Sequence, residues 1–129
     1  MKKNILLFLF LFWASLTQAQ SLSFLLEEAQ YYYQEADYFN AAHYYEQALE
    51  QDSNRTDLWY NYAQSLRLTN QYKKSAFFYE NLLQTDLGKK HPKALMWLGM
   101  TLKNTRDYTR ASAFLQMYIE SHPNPSDYW

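Results

Sequence analysis

Large and small apolar residues alternate at helical spacing along most of the chain. A large residue, a small one and another large one follow at intervals of four and three, which places all three on one helical face. Three blocks begin with this triplet: Leu25, Ala29 and Tyr32; Trp59, Ala63 and Leu66; Leu95, Gly99 and Leu102. Because the small member lets another helix approach closely, each triplet predicts one half of a helical hairpin.

A second apolar stripe follows each triplet after a short polar break that ends in a tyrosine. The breaks contain Asp37-Tyr38, Gln71-Tyr72 and Asp107-Tyr108, and each is followed by a small residue: Ala41, Ser75 or Ala111. We predict six helices, at about Leu22–Glu35, Phe39–Gln51, Thr56–Leu68, Tyr72–Thr85, Pro92–Asn104 and Tyr108–Ser121. The segment Asp86–His91 carries two extra residues, and we expect an interruption of the stack there.

The pattern resembles the tetratricopeptide repeat, with repeats at residues 22–55, 56–89 and 92–125. The resemblance covers nearly all of residues 20–125 and implies an all-α, right-handed α-solenoid of three hairpins. The chain departs from the family pattern at a few positions. Ser53 and Leu87 replace the usual proline, while Leu82 and Tyr118 replace a small residue. We expect looser packing at these hairpin junctions.

The first nineteen residues have the layout of a secretory signal peptide. Lys2 and Lys3 precede the apolar run Ile5–Trp13, and Thr17-Gln18-Ala19 places small residues before a cleavage point. The run is shorter than the roughly twenty residues of a membrane span. We therefore predict cleavage after Ala19 and a periplasmic or secreted protein. An uncleaved N-terminal anchor is the alternative.

Composition excludes several kinds of chemistry. The chain has no cysteine and only two isolated glycines, so it has no thiolate site and no glycine-rich phosphate loop. His43, His91 and His122 lack metal-ligand spacing. A net charge of −1 does not fit a nucleic-acid binder. We expect no catalytic site, cofactor or metal, and no membrane span after cleavage.

The resemblance also implies a binding site. In tetratricopeptide proteins the first helix of each hairpin lines a concave groove that holds a protein or peptide. Carried over to this sequence, the groove residues are Leu26, Gln30, Tyr33, Tyr60, Asn61, Gln64, Arg67, Lys93, Met96, Trp97, Met100 and Lys103.

Some of these groove residues have another interpretation, and the known carboxylate clamp of the family is incomplete. Trp97, Met96 and Met100 could equally form core between the second and third repeats. The family's clamp for a C-terminal carboxylate is matched only at Asn61 and Lys93, so we do not expect that activity.

We expect a non-enzymatic interaction scaffold in a Gram-negative cell envelope. The block Asp57–Met100 resembles the N-terminal repeat region of Bacteroidetes-type envelope proteins. Those proteins carry OmpA-like domains downstream and serve type IX secretion. The alternative is a glycan-binding protein that stacks sugars on Tyr33, Tyr60 and Trp97.

The segment Ser126–Trp129 resembles Thr56–Trp59, the start of the second repeat. We interpret it as the beginning of an incomplete fourth repeat, or as a tail. Solenoids need a covered or polar end, and the last helix offers apolar residues. We therefore expect a downstream domain, a partner or a second copy at that end.

Overall fold

The computed structural model describes residues 21–124 and residue 126, and this part of the chain is helical without strands. The predicted signal peptide and most of the Ser126–Trp129 segment lie outside the described residues. The helices are α1 (residues 21–34), α2 (Tyr38–Gln51), α3 (Trp59–Leu68), α4 (Tyr72–Leu83), α5 (Ala94–Asn104) and α6 (Tyr108–Ser121). They pair as three hairpins in an all-α solenoid, which confirms the predicted fold class.

The same turn joins the two helices of every hairpin. In the first turn, Asp37 N–H donates to the carbonyl of Tyr32 at 2.9 Å, and Ala36 N–H donates to Tyr33 at 3.2 Å. This pair of bonds is the Schellman motif, and the second and third turns repeat it. The turn residues Ala36, Asn70 and Arg106 have φ of 58°, 63° and 66°. The turn geometry is thus kept without glycine.

Small residues bring the two helices of each hairpin together, as the sequence predicted. Ala29, Ala41, Ala63 and Ser75 are each fully buried. The Ser75 hydroxyl donates to the carbonyl of Ala63 at 2.8 Å, which links α4 to α3. The close approach of these helices therefore depends on the small side chains.

The third hairpin is equally tight around Gly99. A Cβ atom on Gly99 would lie 2.6 Å from Leu115 Cγ and 3.1 Å from the carbonyl oxygen of Ala111. Glycine is thus required here by the closeness of α6 rather than by an unusual backbone angle.

The hairpin junctions are well packed. Leu82 and Tyr118, which replace the small residue of the family pattern, have exposed fractions of only 1% and 2%. The looser packing that we expected is therefore wrong at these two residues. Each large side chain fills space that a smaller one would leave empty.

The expected interruption at Asp86–His91 is also partly wrong, because most of this segment is ordered helix. Asp86–Lys90 forms a 3-10 helix, and a shorter one at Thr56–Leu58 leads into α3. Gly88 is buried in the segment, and a Cβ atom there would lie 2.9 Å from the carbonyl oxygen of Leu82. The extra residues thus pack on α4 instead of opening the stack.

The outward side of α6 is the open end of the solenoid. Tyr108 and Ile119 have exposed fractions of 62% and 47%. The preceding hairpin differs, because Ala76 and Tyr79 of α4 are 5% and 0% exposed beside α5. A shallow cavity of about 340 Å³ lies along this end of α6.

Candidate binding face

Side chains from α1, α3 and α5 meet in one cluster, which we call the inner face: Tyr33, Tyr60, Gln64, Arg67 and Trp97. The three members on α3 are spaced by four and three residues, so they form one stripe. Gln64 Nε2 donates to the Tyr60 hydroxyl at 3.0 Å, and Arg67 Nη2 donates to Gln64 Oε1 at 2.7 Å. Hydrogen bonds therefore connect the whole stripe.

Arg67 extends this stripe onto the third hairpin. Its guanidinium carbon lies 4.0 Å from the centre of the Trp97 ring, a cation–π contact. Trp97 is half-buried and also packs against the core between the second and third hairpins. Trp97 therefore packs against the core and also contacts Arg67, and its role in a binding groove stays a prediction.

His91 joins the inner face from the segment before α5. Its ring stacks on Tyr60 with centroids 4.0 Å apart and planes within 10°. Burial lowers the pKa of His91, and the nearby charge of Lys90 acts in the same direction. This contact could not be predicted from the sequence, because a lone histidine in a linker usually faces solvent.

Tyr33 is the contribution of α1. It makes edge-on contacts with Tyr38 and Tyr45 at centroid distances of 5.7 and 6.3 Å. Burial is the main cause that raises the pKa of Tyr33 to about 12, while the Arg67 charge opposes the rise. Tyr33 is thus a neutral and partly desolvated hydroxyl near the guanidinium.

A second polar group adjoins the inner face. The Tyr45 hydroxyl donates to Gln30 Oε1 at 3.5 Å and accepts from Asn61 Nδ2 at 3.3 Å. Gln30 belongs to α1 and Asn61 to α3, so this group ties the first two hairpins together. Both amides were predicted as groove residues.

Comparison with known proteins identifies the repeat. Two family models, both described as tetratricopeptide repeat, match residues 44–75 and residues 87–125. The chain contains tetratricopeptide repeats. The Arabidopsis OM64 TPR domain is similar in structure, with a TM-score of 0.66 at 15% identity over 83% of this chain and 87% of that one. This likeness concerns the fold alone, and no curated protein sequence matches.

Four other predicted groove residues, Leu26, Lys93, Met96 and Met100, differ in burial. Leu26 is half-buried against the first core, and Met96 and Lys93 are half-buried on the third repeat. Met100 is 44% exposed. A groove role for these four residues stays a prediction.

Lys103 is the predicted groove residue that lies elsewhere. It lines the shallow cavity at the open end of the solenoid, together with Tyr108, Leu115 and Ile119 of α6. Tyr33, Arg67 and Lys103 occupy the same position of successive tetratricopeptide repeats. Arg67 reaches Trp97 of the following repeat, whereas Lys103 has no described repeat after it.

The inner face is suited to recognition. It offers aromatic rings, one amide and one guanidinium, and contacts connect Tyr60, Gln64, Arg67 and Trp97. Among the described residues, no group of three or more His, Asp and Glu could hold a metal ion. None of the helices in residues 21–124 combines the length and apolar character that crossing a bilayer requires.

Proposed function

We propose that this chain is an exported, non-enzymatic scaffold whose inner face binds a segment of another protein. The observation that carries the proposal is the convergence of Tyr33, Tyr60, Arg67 and Trp97 from three hairpins. Tyr, Trp and Arg dominate binding hot spots, because they bury large areas and still make polar contacts. The tetratricopeptide fold supports the same function.

The preorganisation of the inner face supports the proposal. Arg67 is held by Gln64 and Trp97, and Tyr60 is held by Gln64 and His91. Side chains that are fixed before binding lose less conformational entropy when a partner docks. A peptide could therefore bind without a large ordering cost.

Selection of peptides tests this function. The full chain is presented with a phage-displayed library of random decamers, and enriched sequences are counted. We expect enrichment by the wild type and its loss in the double variant Tyr60→Ala/Trp97→Ala. The matched control is Phe39→Ala/Phe77→Ala, which removes two rings that are 71% and 60% exposed on α2 and α4. Equal enrichment by both variants would show that the peptide-binding site lies outside the inner face.

The cellular place is a proposal of its own. We propose that the chain works in a Gram-negative cell envelope, in a secretion or outer-membrane assembly, on the basis of residues 1–19 and the resemblance of Asp57–Met100. Expression of the full chain in a Gram-negative host should give a periplasmic product that starts at Gln20. Intact mass spectrometry of cell fractions checks this, and an uncut product in the membrane fraction would indicate an anchor.

The open end of α6 allows self-association or a downstream domain. Tyr108, Ile119 and the adjacent cavity are available for such a contact. Light scattering across a concentration series distinguishes the cases. A constant monomer mass would exclude self-association through α6, and a rising mass would support it.

Glycan binding is the second candidate, favoured by the three rings Tyr33, Tyr60 and Trp97. The structure weakens it, because His91 covers one face of Tyr60 and Arg67 covers one face of Trp97. Tryptophan fluorescence titrated with oligosaccharides separates the two functions. An unchanged spectrum would eliminate the glycan hypothesis and leave the protein-binding one intact.

A further inference from the structure

The two helices that form most of the inner face contain no carboxylate. The stretches Trp59–Leu68 and Ala94–Asn104 have no Asp or Glu, and their charged residues are Arg67 and Lys103. Elsewhere in the chain, basic residues pair with acids across repeats, as Lys74 does with Glu46 and Arg110 with Glu80. The inner face is thus a strip whose one charged residue is the Arg67 cation, on a chain whose net charge is −1.

Arg67 is central to this strip. Within residues 21–124 and 126, it has no carboxylate partner, and its acceptor is the neutral oxygen of Gln64 at 3.2 Å from Nε and 2.7 Å from Nη2. A guanidinium has five N–H donors, so several remain for another acceptor. Carboxylates accept charge-assisted hydrogen bonds that are about twice as strong as neutral ones.

The surroundings of Arg67 strengthen an ion pair. Trp97 lies against the guanidinium, and the rings of Tyr33, Tyr60 and the fully buried Tyr79 are close by. Burial raises the pKa of Tyr79, and the neighbouring Arg67 guanidinium opposes the rise. Partly buried rings therefore surround the guanidinium, and a charge pair is worth more in such surroundings than at an open surface.

We propose that Arg67 selects an acidic side chain in the peptide segment that binds the inner face. The inference rests on the proposed function, because it names the chemistry of the partner at the same site. The Arg67 guanidinium receives the Asp or Glu carboxylate, while Trp97 and Tyr60 contact apolar groups of neighbouring peptide residues. Arg67 can exchange its amide acceptor for a carboxylate without leaving the Trp97 ring.

The same peptide selection tests the inference when the library is fused to the phage coat protein at its C-terminus. Such peptides have no free terminal carboxylate, so only side chains can supply the anion. We compare the wild type with Arg67→Gln and with Lys73→Gln, which removes the same charge from an exposed position on α4. Asp and Glu should be enriched by the wild type and by Lys73→Gln. They should fall to the library frequency with Arg67→Gln.

Affinity gives the second readout. An enriched peptide and its Glu→Gln or Asp→Asn analogue are titrated against each protein by fluorescence polarisation. We expect the wild type to bind the acidic peptide about tenfold more tightly than the amide, since a hydrogen bond to a charged group contributes about 1.5–3 kcal/mol. Arg67→Gln should not discriminate between them. Arg67→Lys keeps the charge without the fork and should show reduced discrimination.

The outcomes are distinguishable. No enrichment by any protein would overturn the scaffold function and this inference with it. Enriched peptides without acidic residues, or an acidic preference that Arg67→Gln retains, would overturn the inference while the scaffold function stands. Circular dichroism establishes that each variant is folded. If Arg67→Gln is not, the wild-type comparison of acid and amide peptides still decides.

Discussion

The inner and outer faces of the solenoid use their charges in opposite ways. On the outer face, Lys74 of α4 pairs with Glu46 of α2, and Arg110 of α6 pairs with Glu80 of α4 at 2.5 Å. These two pairs connect the second helices of successive repeats in the same way. The inner cation, Arg67, instead rests on an amide and an indole.

The inner and outer cations therefore have different roles. Lys74 and Arg110 have their anions within the chain, so they contribute to the alignment of successive hairpins and leave little for a ligand. The inner cation has neutral partners, so its strongest possible interaction is with an anion supplied from outside. Whether a basic residue can bind an external anion therefore depends more on its position in the repeat than on the net charge of the chain.

The largest expected effect concerns the core that holds both faces. Leu98 is fully buried beside α4, and Leu98→Ala should lower the free energy of unfolding by about 2–5 kcal/mol. Urea denaturation followed by circular dichroism measures it. Met100→Ala, on the same helix but 44% exposed, should change it by less than about 0.5 kcal/mol. Similar losses of stability in the two variants would contradict the difference in burial between Leu98 and Met100.

The second-largest effect is on peptide affinity, and we expect it when Arg67 is given a carboxylate partner within the chain. Gln64→Glu places a carboxylate beside Arg67, where the amide oxygen now lies at 2.7 Å. The acidic peptide should then bind about tenfold more weakly, since its carboxylate competes with an internal one. The midpoint of thermal unfolding should stay the same or rise. Unchanged peptide affinity would show that Arg67 does not contact the anion.

Glycine substitutions in the hairpin turns should change the free energy of unfolding by about 1 kcal/mol. Ala36 and Arg106 adopt φ of 58° and 66°, which non-glycine residues adopt at a cost of roughly 1–2 kcal/mol. Ala36→Gly and Arg106→Gly should therefore raise the unfolding free energy by up to about 1 kcal/mol. Asn70→Gly should gain less, because asparagine tolerates this conformation. A loss of stability in both glycine variants would contradict the turn geometry.

The outer ion pairs should contribute little to stability. A double-mutant cycle of Glu80→Gln and Arg110→Gln should give a coupling of about 0.2–1 kcal/mol, as is usual for exposed pairs. The coupling should shrink in 1 M salt, because salt screens charges. A coupling well above this range, and insensitive to salt, would mean that the outer pairs are more than exposed alignment contacts.

The smallest effect is a dependence on pH. Because the pKa of His91 is lowered from its ordinary value of 6.5, folding favours the neutral ring. The contribution is present above pH 6.5 and is lost as the pH falls through the folded pKa. His91→Phe keeps a ring against Tyr60 and should make stability fall less between pH 7 and pH 5. An identical slope in both proteins would exclude titration of His91 in this range.

Much of the fold was predictable because it follows from a repeated local rule. The triplets and the second apolar stripes predicted the six helices to within about two residues at most ends, and Ala29, Ala63 and Gly99 lie where helices touch. Other features depend on three-dimensional contacts. Arg106 adopts a left-handed conformation because the hairpin requires it, and nothing in its side chain indicates so.

The residues of the inner face could be predicted from the sequence, but not all of their contacts. Family positions gave Tyr33, Tyr60, Arg67 and Trp97, which converge. The same positions gave Lys103, which lies at the open end because no described repeat follows it. His91 was missed because its contact with Tyr60 arises only when the Asp86–Lys90 helix folds against α4.

We expect a partner segment to bind the inner face through Arg67. The most direct test is a set of ¹H–¹⁵N NMR spectra of the full chain with and without an enriched acidic peptide. We expect the Arg67 Nε–H and Trp97 indole N–H resonances to shift most, with little change around Lys74 and Arg110. Shifts confined to the outer helices α2, α4 and α6, with Arg67 and Trp97 unmoved, would contradict it.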